Sequence, residues 1–175
     1  MNGEPAQTAD PPSEVAEAPR FRPARRVVVF GRSLPKADTI ERAMWIVLML
    51  CCFGALYLAG VVLSPDNRGI GTHEQLGLPA CGFVEIAGGP CPSCGFTTTF
   101  TLAAHFRPID AIVNQPFGAF LFVLTVLGAI GLPVVCVKGI SLFALTDPWP
   151  WMRIGGILLG AWLICWGYKW QAVAL

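Results

Sequence analysis

Charge and histidine are both scarce in this chain. Only 13% of its 175 residues are Asp, Glu, Lys or Arg, and the two histidines are His73 and His105. So little charge excludes an ordinary soluble domain, and nucleic acid is not an expected partner. The long apolar runs hold no ionisable carboxylate, Lys or Arg, which leaves no ion path or proton relay through a bilayer and argues against a transporter. Between those runs stand Asp66, Glu74, Glu85 and Asp110, with no spacing that pairs them for acid–base work. No catalytic residue is expected, and the chain reads as a non-enzyme without internal repeats.

What is abundant is hydrocarbon, at 54% of residues. Met44 to Leu63 is a run of twenty residues without charge and Phe117 to Val137 one of twenty-one. Each is long enough to cross ~30 Å of membrane hydrocarbon as a helix. Ile154 to Tyr168 is shorter, but Trp149 and Trp151 precede it and Trp170 follows it, as interfacial anchors would. The expected fold is an all-α integral membrane protein with three transmembrane helices, at about 44–63, 117–137 and 154–170. Arg20, Arg22, Arg25, Arg26, Arg32, Lys36 and Arg42 all precede the first span, so the N-terminus is expected in the cytoplasm and residues 64–115 outside.

Two regions follow: a disordered and basic cytoplasmic segment, 1–42, and a helical membrane domain, 43–175. Residues 1–19 are rich in Pro, Ala and Glu and offer little to bury. Residues 20–42 mix cations with Phe21, Val27, Val28, Val29 and Phe30, which suits either a stretch lying on an anionic inner leaflet or a solvated flank. Arg25-Arg26 stands too far from the apolar run to be a twin-arginine signal, and a cleaved signal peptide is not expected.

The outer loop is long enough to have order of its own. In its cysteine hairpin and short helix, residues 77–107, Gly77, Pro79, Gly82, Gly88, Gly89, Pro90 and Pro92 are expected to break any regular element before Cys94. Phe96 to Phe106 then predicts a helix of about three turns, too short to span and so lying at the membrane surface, ended by Pro108. Thr97, Thr98, Thr99 and Thr101 are expected to help begin it by capping free N–H groups.

Of seven cysteines, Cys51, Cys52, Cys136 and Cys165 fall inside spans and read as small apolar side chains. Cys81, Cys91 and Cys94 lie among turn-forming residues in the outer hairpin, and three readings compete for them. A structural disulfide from Cys81 to Cys91 or Cys94 would close a loop of about a dozen residues and stabilise it by up to ~3 kcal/mol. A redox role gains from the position of Cys94 near a helix N-terminus, which favours thiolate, but lacks a βαβ scaffold. A metal site would use Cys81, Cys91 and Cys94 with His73, because His105 lies ~16 Å along the helix from Cys94. Covalent haem is excluded, since Gly95 stands where c-type attachment needs His. Helix contacts are expected at Ala55 and Ala59 in the first span and at Gly156 and Gly160 in the third, while Trp162, Trp166 and Trp170 form a stripe facing a partner or lipid.

Cys81, CPSCG at Cys91 to Gly95, Thr97, and the turn Asn114-Gln115-Pro116 opening an apolar helix resemble the small bacterial membrane proteins of domain of unknown function 2752. The resemblance runs from about Cys81 to Leu132 and differs in having Thr98 where an Arg is common. It implies a helical membrane protein of bacterial origin and supplies no activity. The expected role is a non-catalytic accessory or assembly subunit of a larger complex of the bacterial inner membrane, with its hairpin on the periplasmic side. The alternative is a thiol–disulfide redox or metal-handling protein. No cofactor is predicted; a structural metal, a pigment or a lipid is compatible with the sequence, and membrane lipids and other membrane subunits are the expected partners.

Overall fold

The computed structural model describes residues 26–29 and 31–174. The disorder expected of residues 1–25 lies outside that range. Phe30 lies outside it too; over Arg26–Val29 (β1) and Arg32–Pro35 (β2) the expectation of disorder is corrected, because the two form an antiparallel hairpin with Val27 opposite Leu34. The valines favour extended backbone, and Gly31 supplies the positive φ that the turn requires. Leu34 is buried, and a bridge from Lys36 to Ile140 ties the hairpin to the chain after the long central helix.

Helix α1, Thr39–Tyr57, starts five residues before the expected span, because the Asp38 side chain accepts from Glu41 N at 2.7 Å and caps it. It continues as a π-helical turn, Leu58–Val62. A 3-10 helix, Thr72–Leu76, follows, and then α2, Gly82–Ala87, which lies among the glycines and prolines that were expected to break any regular element. The breakers there act as boundaries instead: Gly77 and Gly88, both left-handed, end the two short helices. Next come α3, Phe96–Ala104, and α4, Pro108–Asn114, much as the spacing predicts, then α5, Pro116–Lys138, which begins with Pro and ends at left-handed Gly139. A short α6, Leu142–Thr146, leads to α7, Trp151–Ala174.

Among the described residues, two helical stretches are long and apolar enough to cross a membrane, Thr39–Val62 and Pro116–Lys138. They lie against each other, and α3 packs on both α5 and the π turn. Phe100 meets Phe122 edge-on at 5.5 Å, and Gly118 lets Phe96 and Thr99 approach α5 closely. Ala59 is buried, whereas a Cβ at Gly156 or Gly160 would meet open space among the described residues.

At the end carrying the hairpin, Glu41 is 8% exposed and its Oε1 accepts from Trp45 Nε1 at 3.1 Å, Ser141 Oγ at 3.1 Å and Phe143 N at 3.2 Å. One carboxylate thus joins α1 to the start of α6. Glu41→Ala leaves three donors unmatched and is expected to cost about 1–3 kcal/mol, read as a lower unfolding temperature in detergent. Val28→Thr, on the exposed face of β1, is expected to leave that temperature unchanged. An unaltered transition in the Glu41 variant would show that the junction is not held this way.

Candidate functional site

Cys81 stands immediately before α2, and Gly88 ends that helix. The chain then returns through buried Gly89 and Pro90 into Cys91-Pro92-Ser93-Cys94. Cys94 N donates to Cys91 O at 3.0 Å and Phe96 N to Ser93 O at 3.2 Å, closing consecutive turns. Gly95 follows with φ +88° as the residue before α3; a Cβ there would strain the backbone and stand 3.0 Å from Gly69 O. This is the local reason for glycine in CPSCG.

The three loop cysteines converge. Cys91 Sγ lies 3.0 Å from Cys94 Sγ, Cys94 Sγ 3.4 Å from Cys81 Sγ, and all three sulfurs fall within 4.8 Å of one another. All seven cysteines are free thiols, and of the three readings the disulfide is not the one seen here: the sulfurs are hydrogen-bonded, well beyond the ~2.05 Å of an S–S bond. Cys94 contacts both of the others and has no exclusive partner. Burial, then its hydrogen bonds to Cys91 and Cys81, push the Cys94 thiol up to about 12. At Cys81 burial acts upward, but hydrogen bonds with the Cys94 thiol and the Val84 N–H outweigh it and bring the thiol down to about 7. The lowering expected at Cys94 from its place before α3 thus falls on Cys81 instead.

A cavity of about 540 Å³ opens beside the sulfurs, with His73, Glu74, Glu85 and Arg68 on its walls. His73 does not join the sulfur cluster; its Nε2 lies 3.2 Å from Pro79 O. His105 ends α3 with Nδ1 2.8 Å from Thr101 O, outside the cavity wall, in keeping with its distance along the helix. Arg68 reaches Asp66 at 2.7 Å and Glu74 at 2.8 Å, and its hydrogen bond holds the Asp66 carboxyl below the usual range.

The threonines act otherwise than expected. No side chain caps α3; Thr98, Thr99 and Thr101 are fully buried and bond across the fold or back along the helix. Thr72 Oγ1 meets Thr98 Oγ1 at 2.8 Å, and Asn114 Nδ2 donates to Thr99 Oγ1 at 2.9 Å and to Gly95 O at 3.2 Å. Lys169 of α7 completes this network, its Nζ donating to Asn114 Oδ1 at 2.7 Å and Gly69 O at 3.2 Å. Sequence reasoning missed both Asn114 and Lys169 as members of the site. A signal existed, since Lys169 is the only charged residue after Arg153.

The tryptophan stripe finds its partner within the chain. Trp162 Nε1 donates to Pro92 O at 3.0 Å and Trp166 Nε1 to Pro90 O at 2.8 Å, while Gly89 lies where any Cβ would overlap the Trp170 ring. Three successive turns of α7 thus grip the loop that carries Cys91 and Cys94.

Half-exposed Cys81, with its thiol near 7, is expected to react with maleimide at a rate that climbs between about pH 6 and pH 8 and then levels, as its thiolate fraction saturates. Buried Cys94 is expected to stay unmodified throughout. Mass mapping of pulse-labelled protein checks both, and preferential modification of Cys94 would contradict the assignment.

No curated protein and no solved structure matches the chain. Residues 81–129, from the first cysteine of the site into α5, match the family described as "Protein of unknown function (DUF2752)", the family that the CPxCGxT pattern resembles.

Proposed function

We propose that this chain is a small three-span protein of a bacterial inner membrane whose periplasmic thiol site binds a soft metal ion of the Zn²⁺ class through Cys81, Cys91 and Cys94. The carrying observation is the convergence of three free thiols within 4.8 Å. Zn–S bonds of ~2.3 Å at tetrahedral angles set sulfurs ~3.8 Å apart, so separations of 3.0 and 3.4 Å need only a small opening. A fourth coordination position would face the cavity of about 540 Å³, open to water or an exchanging ligand, which suits metal handling better than a closed structural site.

Several features support the membrane setting. The cations before α1 favour a cytoplasmic N-terminus, which puts the loop between α1 and α5 outside. Trp149, Trp151 and Trp170 bracket α7, whose 24 residues are long enough for a third crossing. Thiol–disulfide exchange has weaker support, because Cys94 contacts Cys91 and Cys81 alike and the geometry singles out no one pair for an S–S bond.

A second reading, a non-catalytic accessory or assembly subunit, is favoured by the open space beside Gly156 and Gly160, which leaves close-approach positions on α7 for a helix of another subunit. It is compatible with the first. Gentle-detergent purification tests it, and a lone monomer with no co-purifying subunit would count against it.

The metal reading is tested by titrating reduced protein with Zn²⁺ against a chromophoric chelator. The expected result is one ion per chain, with Ser at any one of Cys81, Cys91 and Cys94 weakening binding by more than the 10–100-fold typical of an outer-sphere change. Ser at Cys51, Cys52, Cys136 or Cys165 is expected to leave it unaltered. Uptake that survives Ser at all three loop positions would refute the site.

A further inference from the structure

We propose that Lys169 is the counter-cation of the thiol centre, and that the centre it balances carries a single net negative charge: one divalent ion held by three thiolates. The inference rests on the metal reading above and adds the charge of the occupied site.

Lys169 is 3% exposed. Lysine is almost never buried to this degree without a partner of opposite charge, because an ammonium taken from water costs several kcal/mol. Its partners here are a backbone carbonyl and an amide oxygen, Gly69 O and Asn114 Oδ1, both neutral. Among the described residues no carboxylate pairs with it. Asp66 and Glu74 are held by Arg68, and Asp110 by Arg107. Glu85 is solvent-exposed on α2.

The position of the cation points to what balances it. A Cβ placed on Gly95, the residue after Cys94, would stand 3.2 Å from Lys169 Cε. Asn114 links the two directly, accepting from Nζ and donating to Gly95 O. The Lys169 side chain thus packs against Gly95, the residue next to the cysteine at the centre of the sulfur cluster, and does not line the cavity. Opposite charges around a partly buried centre attract more strongly than the same charges in water.

The charge arithmetic then selects the ion. Three thiolates and a divalent cation sum to −1, which one ammonium neutralises. Three thiolates and a monovalent cation sum to −2 and would leave an unbalanced buried charge. Lys169 is therefore a positioning and charge-balancing residue, not a ligand. Its place on α7 also makes that helix part of the metal centre.

The test compares Lys169→Gln, which keeps an N–H donor for Gly69 O and Asn114 Oδ1 but loses the charge, with Lys169→Arg, which keeps the charge. Zn²⁺ affinity is read by chelator competition on full-length protein. The expected result is a 10–100-fold weaker Zn²⁺ complex for Lys169→Gln and at most a few-fold change for Lys169→Arg. Metal-free Lys169→Gln is expected to unfold no earlier than metal-free wild type, since its substitution removes a buried, unbalanced charge. A second measurement needs no variant: at pH 6, Zn²⁺ binding to wild type is expected to release close to three protons per ion, one for each thiol. Equal Zn²⁺ affinity of wild type and Lys169→Gln, or release of two protons or fewer, overturns the inference while leaving the metal reading standing. A wild type that takes up no Zn²⁺ overturns both.

Discussion

The arrangement depends on satisfying the backbone carbonyls of Pro90 and Pro92. These prolines supply no N–H of their own, and the turn they build projects C=O groups toward α7. A carbonyl buried without a donor costs about 1–3 kcal/mol, so the loop can close only where donors wait. Trp166 and Trp162 provide them, one turn of helix apart. That spacing fixes the height of Cys91 and Cys94 along α7, and the ring of Trp170 closes over Gly89 from the third turn. Bringing Cys81 to the same point then requires only the short α2 and its glycine ends.

The two ends of the helical bundle solve the same problem with opposite charges. At the hairpin end a buried carboxylate, Glu41, gathers three donors from α1 and the start of α6. At the cysteine end a buried ammonium, Lys169, gathers two acceptors from the loop and α4. Glu41 sits among N–H and O–H groups that stabilise its charge without a cation. Lys169 has fewer partners and neutral ones, and the thiols beside it are the groups able to become anions. This asymmetry separates a structural junction from the site proposed to hold a metal ion.

Much of the fold was legible because it rests on local chemistry. Charge-free runs gave α1 and α5, a helix follows Gly95 but ends at Ala104, short of Pro108, and Pro108 and Pro116 open α4 and α5. The cysteines were legible as the place where chemistry would lie, through CPSCG alone. What the sequence did not reveal were choices made by distant partners. Val27 to Val29 read as a membrane-surface stretch or a solvated flank, although they pair with residues 32–34 close by, because the cations around them drew the reading to the membrane. Thr98 and Thr99 read as caps because their tertiary partners, Thr72 and Asn114, are 26 and 15 residues away. The tryptophan stripe read as facing lipid or another subunit, although its acceptors lay 70 and 76 residues earlier in the same chain. The three readings of the loop cysteines stayed open for a related reason. Spacing shows that cysteines can meet, but not that three meet at one point.

The central claim is that this meeting point is a metal centre whose ligands are three sulfurs and one lighter atom. X-ray absorption at the zinc edge, recorded on full-length protein purified without added chelator and loaded with one equivalent of Zn²⁺, tests it most directly. The account predicts three sulfur scatterers at ~2.3 Å and one nitrogen or oxygen at ~2.0–2.2 Å. A first shell of nitrogen and oxygen alone, or an ion that washes away to leave two of the three cysteines joined in a disulfide, would contradict it.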